Sequence, residues 1–235
     1  AAVAVVHCSY VTRTKFDSNC SPSYLSQTKA CLDSYFTGYS LDPEHLPPYT
    51  TYVGIIVNLT SNSGKDGVDT FCSLETNVEN CLGSLFNSPC MTGASFKEMY
   101  GMSTVDSYEY ATDFPVRAYM CTNKQLMDDN LGCFDNLHVG HLDERKKCTS
   151  DLENAIAAVT DGDYCTPFAP FVDCTSNYYA KYCGSWVKSY ICNVLEVGIN
   201  FDSMNSCEAI LPTCGVYSRA TLIGVLTTMI YWLLS

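Results

Sequence analysis

Twice in this chain cysteine returns at every ninth residue, at Cys72, Cys81 and Cys90 and again at Cys165, Cys174 and Cys183, with the second run continuing to Cys192. Nine residues make about two and a half turns of an α-helix, so successive cysteines face opposite sides and alternate ones share a side. Such a helix can be bonded to a neighbour on each flank. A strand also alternates its faces, and the apolar pattern decides between the two. In the first run Val68, Phe71, Leu74, Val78, Leu82, Leu85 and Phe86 recur at steps of three and four. In the second, Phe168, Phe171, Val172, Tyr179, Tyr182, Trp186, Tyr190, Ile191 and Leu195 do the same. Both runs read as amphipathic helix. Pro167 and Pro170 fall near the first turn of the second run, and Pro89 is expected to end the first just before Cys90.

Helical periodicity also marks residues 22–37, 120–137 and 142–159. The β-branched run 51–60, bounded by Pro47–Pro48 and by a Ser/Gly-rich stretch, is expected to be a short strand or extended loop. The predicted fold is therefore mainly α, a disulfide-stapled helical bundle with one short extended segment near 51–60. Cys20, Cys31, Cys72, Cys81, Cys90 and Cys121 lie over Cys133, Cys148, Cys165, Cys174, Cys183 and Cys214, and the last three intervals are 9, 9 and 31 in both sets. This predicts two tandem cysteine-rich helical repeats, 8–121 and 122–214, each with three disulfides, and an apolar tail at 215–235. Cys192 and Cys207 are left for an extra local bridge, and Cys8 for an unpaired thiol or an intermolecular bond. Connectivity within each set stays open, because six cysteines allow 15 pairings.

Fifteen cysteines at long intervals, without the paired C-x2-C spacing of zinc sites, read as disulfides and so as an oxidising, extracellular or cell-surface setting. Asn58 and Asn19 head acceptor triplets for an N-linked glycan. With 13 basic against 25 acidic residues the chain carries a net charge of −12, and no Lys/Arg cluster is placed to track a phosphate backbone. Nucleic acid is not expected as a partner.

Residues 220–234 contain no charge, and at 1.5 Å per residue they span about 22 Å, short of a hydrocarbon core of about 30 Å. Three readings stand for this tail: a glycolipid-anchor signal with attachment at Ser218 or Gly215, a packing element between subunits, or a core helix closing the second repeat. The apolar start, residues 2–6, is either a frayed or processed terminus or a segment offered to another subunit.

Catalytic and metal motifs are scarce. His138, His141, Asp143 and Glu144 form the one constellation with ligand-type residues, but Gly140 interrupts it and the catalytic glutamate of H-E-x-x-H is missing, so it reads as a polar loop. Asp128 with Asp129, and Asp161 with Asp163, have the character of turns and caps. No metal, cofactor or catalytic residue is expected, and bonded thiols cannot act as nucleophiles. Tyr178, Tyr179, Tyr182, Trp186 and Tyr190 make a broad aromatic face suited to packing between repeats or to an interface.

The ninth-residue cysteines of both halves and the apolar segment 215–235 resemble the cysteine-rich, all-helical secreted proteins of invertebrates, whose hydrophobic C-termini suggest lipid anchors. That resemblance implies a surface or matrix-like role and brings no catalytic residues. The expected function is a non-enzymatic extracellular structural or surface protein, tethered to membrane lipid or self-assembled into a homo-oligomer through its tail. A carrier of an apolar small molecule or lipid, with a cavity between helices, is the alternative.

Overall fold

The computed structural model describes residues 19–140, 142–159, 165–202 and 207–215. Among these residues the chain forms α1 (Pro22–Gly38), α2 (Tyr49–Leu82), α3 (Gly93–Tyr100), α4 (Thr104–Thr122), α5 (Lys124–Gly140), α6 (Leu142–Ala157), α7 (Phe168–Cys183) and α8 (Val187–Asp202), with no strand. The helix starts follow local chemistry. Ser21 accepts from the Tyr24 amide at 3.4 Å ahead of Pro22, Thr92 caps α3, and Ser103 accepts from the Asp106 amide at 3.1 Å to start α4.

The segment 51–60 is helical, contrary to its β-branched composition, and belongs to α2. Tyr49, Tyr52, Ile56 and Thr60 are buried, and their spacing puts them on one helical face. Tertiary packing of that face outweighs the modest helix penalty of Val, Ile and Thr. α2 is not straight. Gly64 has φ 55° and ψ −129°, which breaks the helix into two arms, 49–63 and 65–82. In an unbroken helix Tyr52 and Glu75 would be about 34 Å apart at 1.5 Å per residue. Here the Tyr35 hydroxyl hydrogen-bonds both, at 2.9 Å to Tyr52 Oη and also to Glu75 Oε1. The arms therefore fold back on each other at Gly64. They meet so closely that a Cβ on Gly67 would fall 2.2 Å from the Leu59 carbonyl oxygen.

Other boundaries move for similar reasons. The first ninth-residue run ends at Leu82, where Gly83 takes φ 53°, and Pro89 opens a short 3-10 turn, Pro89–Met91. Gly184, at φ 102°, splits the second run into α7 and α8. The apolar pattern from Met120 to Leu137 crosses a break at Asn123, which separates α4 from α5.

The bridges use the opposed faces of the ninth-residue helices. From the second arm of α2, Cys72 bonds Cys121 at the end of α4 and Cys81 bonds Cys31 on α1, while Cys90 bonds Cys20. α7 is fastened likewise, by Cys174 to Cys148 on α6 and by Cys183 to Cys133 on α5. In the sixfold correspondence of cysteines, first with fifth and second with fourth are thus bonded in both halves. The third pair differs. Cys165 bonds Cys207, and Cys192 bonds Cys214, so Cys192 and Cys207 do not bridge each other. The segment after α8 folds back along that helix, which puts Cys214 rather than Cys207 opposite Cys192. No described disulfide joins residues 20–121 to residues 133–214. The halves meet by packing, with α4 against α8 and α2 against α5. Tyr119 stacks on Tyr190 at 6.2 Å across that junction.

Candidate functional site

The densest chemistry lies inside the first half, where α1, both arms of α2 and α4 converge. Arg117 on α4 is ion-paired through Nε with Asp113 one turn earlier, and its Nη1 lies 4.0 Å from Glu75 Oε1. The same nitrogen donates to Tyr35 Oη at 3.3 Å, and the guanidinium sits 4.6 Å from the Tyr52 ring centroid. Tyr49 donates to Asp113 Oδ1 at 2.9 Å. All of these side chains are buried, Glu75 completely. An aromatic shell surrounds them: Tyr52 stacks on Tyr110 at 4.8 Å, and Phe36 makes edge contacts with Tyr35, Tyr52 and Tyr110.

Two carboxyls share one guanidinium here, and their environments differ. Asp113 has the close pair with Arg117 and the Tyr49 hydrogen bond, although burial still pushes its pKa up. Glu75 has the distant contact, and burial raises it to about 8 against the opposing pull of Arg117 and Tyr35. Its Oε2 faces no hydrogen-bond partner, an arrangement less costly for a neutral carboxyl than for an anion. Burial and the neighbouring Glu75 also hold Tyr35 in its protonated form. The cluster is therefore a sealed, partly neutral clamp that specifies how α1, α2 and α4 dock.

An open groove of about 500 Å³ lies on the surface between the second arm of α2 and α4. The Cys72–Cys121 bridge lines it, with Asp69, Ser73, Thr76, Glu79 and Lys124. Lys124 is held by Asp69 and by Asp128, the latter at 2.9 Å, so much of the groove's charge is internally paired. A second cavity, of about 20 Å³, lies between Phe171, Thr175, Tyr179, Ile191 and Leu195 with Arg145 at its side, room for about one water beside the unpartnered Thr175 hydroxyl.

The residues singled out from sequence fall in several places. Asp128 is bound by Lys65 and Lys124, and Asp129 accepts from Gln125 at 2.7 Å, so these carboxylates serve ion pairs and a helix-surface contact. Glu144 pairs with Lys181 at 3.0 Å and accepts from Tyr182 Oη at 2.6 Å. His141, Asp161 and Asp163 lie outside the described residues, as does the His138 side chain; Asp143 is exposed. Among the described residues no three His, Cys, Asp or Glu side chains are grouped to hold a metal ion. Asn58 is exposed on α2, while Thr60 of its triplet is buried and donates to the Ile56 and Val57 carbonyls at 3.1 Å each. Asn19 is exposed beside the bonded Cys20 and the capping Ser21. Gly215 is exposed; Ser218 and Cys8 lie outside the described residues.

Glu75, Asp113 and Arg117 are absent from the sequence reading. Their signal was present, since Glu75 interrupts the apolar stripe 68, 71, 75, 78, 82, and Asp113 and Arg117 are four apart. Pro115 lies between the latter pair and is tolerated within α4.

No family model, no curated protein and no solved structure matches this chain. The disulfide-stapled helical bundle stands on the bridges and helices themselves, and its bridge content is typical of extracellular proteins. Among the described residues no helix is long and apolar enough to cross a membrane.

Proposed function

We propose that this protein is a non-enzymatic extracellular surface module, N-glycosylated at Asn58 and held at a membrane through the apolar segment beyond Gly215. The observation that carries the reading is the complete pairing of the described cysteines into seven bridges, which a reducing compartment would not preserve. Two further features support it. The charged cluster most suggestive of acid–base chemistry is closed to solvent and committed to helix docking. The aromatic side chains that an apolar carrier would turn toward its cargo are packed on one another, Phe36, Tyr52, Tyr110 and Phe114 among them. An intact mass of native material, with and without glycosidase, tests the proposal. The expected result is a glycan at Asn58 and either a glycolipid at Gly215 or Ser218 or a retained segment that partitions into detergent. A soluble, unmodified monomer that keeps residues 216–235 refutes the tether, and thiols free to alkylate at the bridge positions refute the extracellular setting.

A further inference from the structure

The folded Asn58 triplet is not in the conformation that glycan transfer requires. Transfer forms a bond from the asparagine Nδ2 to the anomeric carbon of a lipid pyrophosphate-linked oligosaccharide. The bond from that carbon to the pyrophosphate oxygen breaks, the lipid pyrophosphate leaves with the electron pair, and Nδ2 gives up one proton. The acceptor pattern demands a Ser or Thr two positions on, so one enzyme site reads that hydroxyl together with the amide. Extended backbone puts residues i and i+2 on the same side. A helix turns them about 200° apart. Here both residues belong to α2, with Asn58 exposed and Thr60 only 4% exposed on the core side. The Thr60 hydroxyl is already engaged by the Ile56 and Val57 carbonyls, at 3.1 Å each. A glycan once attached has room, because a Cβ on Gly54, one turn before Asn58, would meet nothing within 4 Å. The fold accepts the product and hides the substrate.

The groups that hold this triplet in a helix come late in the chain. The start of α2 has no side-chain cap of its own at Pro48. The Tyr49 amide donates instead to Asp106 Oδ1 on α4 at 2.9 Å, 57 residues on. Tyr49 Oη donates to Asp113 Oδ1, 64 residues on, and Tyr52 stacks on Tyr110. Without α4, the first arm is a run of about four turns rich in Thr, Val and Ile, too short and too poor in helix formers to remain helical in water. At about 5–20 residues per second, the α4 partners follow Tyr49 after about 3–13 seconds.

We propose that Asn58 is glycosylated only on the growing chain, in the interval before α4 seals the first arm of α2, and that the β-branched composition of 51–60 keeps the triplet extended during that interval. This ordering rests on the glycan assigned to Asn58 and adds the conformation on which the transferase acts. Val, Ile and Thr favour extended backbone where nothing packs against them. The same run is therefore an acceptor while it is unpartnered and a helix once α4 covers it.

The full chain, made without glycan, is offered to an oligosaccharide transferase and its lipid-linked donor in two forms. One is oxidised and folded; the other is reduced and carboxamidomethylated, which keeps it unfolded. No cysteine lies between Cys31 and Cys72, so the blocking groups stand clear of the triplet. Peptide mass gives the occupancy at Asn58. The folded form is expected to be modified at least about tenfold more slowly, because a packed arm opens rarely. Comparable rates in the two forms overturn the ordering and leave the glycan standing. No transfer to either form, with a control acceptor peptide modified, overturns both. Tyr49→Ala/Ile56→Ala removes two of the arm's buried side chains. In that oxidised variant, transfer should rise severalfold in step with amide exchange at residues 56–61; an arm that is open by exchange and still refused overturns the part given to Thr60.

Discussion

The buried carboxyl of Glu75 makes stability depend on pH in an unusual direction. Most acidic residues hold their protons less tightly in the folded state, and the protein gains stability as pH rises. Glu75 has a folded pKa raised from 4.5 to about 8. Between those values the folded chain keeps the proton that the unfolded chain has lost, so stability falls with rising pH, by about 1.4 kcal/mol per unit from this group. The whole interval sets an upper bound of about 5 kcal/mol, and because Arg117 couples Glu75 to Asp113 a net figure of about 3 kcal/mol is expected. Glu75→Gln keeps the shape and the acceptor for Tyr35 while removing the titration. At pH 5 the variant and the native protein should agree within about 1 kcal/mol. By pH 8.5 the variant should be the more stable by about 3 kcal/mol, or about 6–12 °C in Tm. Urea unfolding followed by far-UV circular dichroism, with bridges intact and any free thiol blocked, measures the difference at half-unit steps. A constant offset between the two proteins across that range would mean that Glu75 is charged throughout and that Arg117, not burial, governs it.

Three further perturbations test the fold. Arg117→Met leaves Asp113 and Glu75 buried without their cation and should cost about 3–5 kcal/mol by urea midpoint, with a smaller loss at acid pH, where both carboxyls take up protons. Gly64→Ala places a side chain at φ 55° and should cost about 1–3 kcal/mol in thermal unfolding; an unchanged Tm would refute the reversal of α2 at that residue. Cys72→Ala with Cys121→Ala opens a link across 49 residues, and a loss of about 2–4 kcal/mol is expected in chemical denaturation, the other bridges limiting the gain in unfolded-state freedom.

How much of this was legible in the sequence depended on whether a signal was local. The ninth-residue cysteines predicted helices fastened on two sides, and Cys72 with Cys81, then Cys174 with Cys183, are bonded in that manner. Helix α1 followed from the apolar periodicity of residues 22–37. The segment 51–60 misled because β-branched composition is a weaker influence than burial of the helical face made by Tyr49, Tyr52, Ile56 and Thr60. The Gly64 reversal was invisible since a glycine in a polar stretch signals a loop as readily as a hairpin. Pairing of Cys165 with Cys207 depended on the path of the chain after α8, which no spacing reveals. The Glu75–Arg117–Asp113 cluster joins residues from two distant segments, and only the misplaced charges hinted at it.

The order in which partners occur along the chain bears on how the protein must mature. Cys20 waits for Cys90 and Cys31 for Cys81, so during N-to-C synthesis both thiols emerge well before either partner. At about 5–20 residues per second, the 50 positions between Cys31 and its partner take about 3–10 seconds to emerge. Any bond that Cys20 or Cys31 forms in that interval is non-native, and the native links are then reached only by thiolate exchange. An oxidant alone should trap scrambled chains, whereas a folding compartment with disulfide isomerase activity should release them.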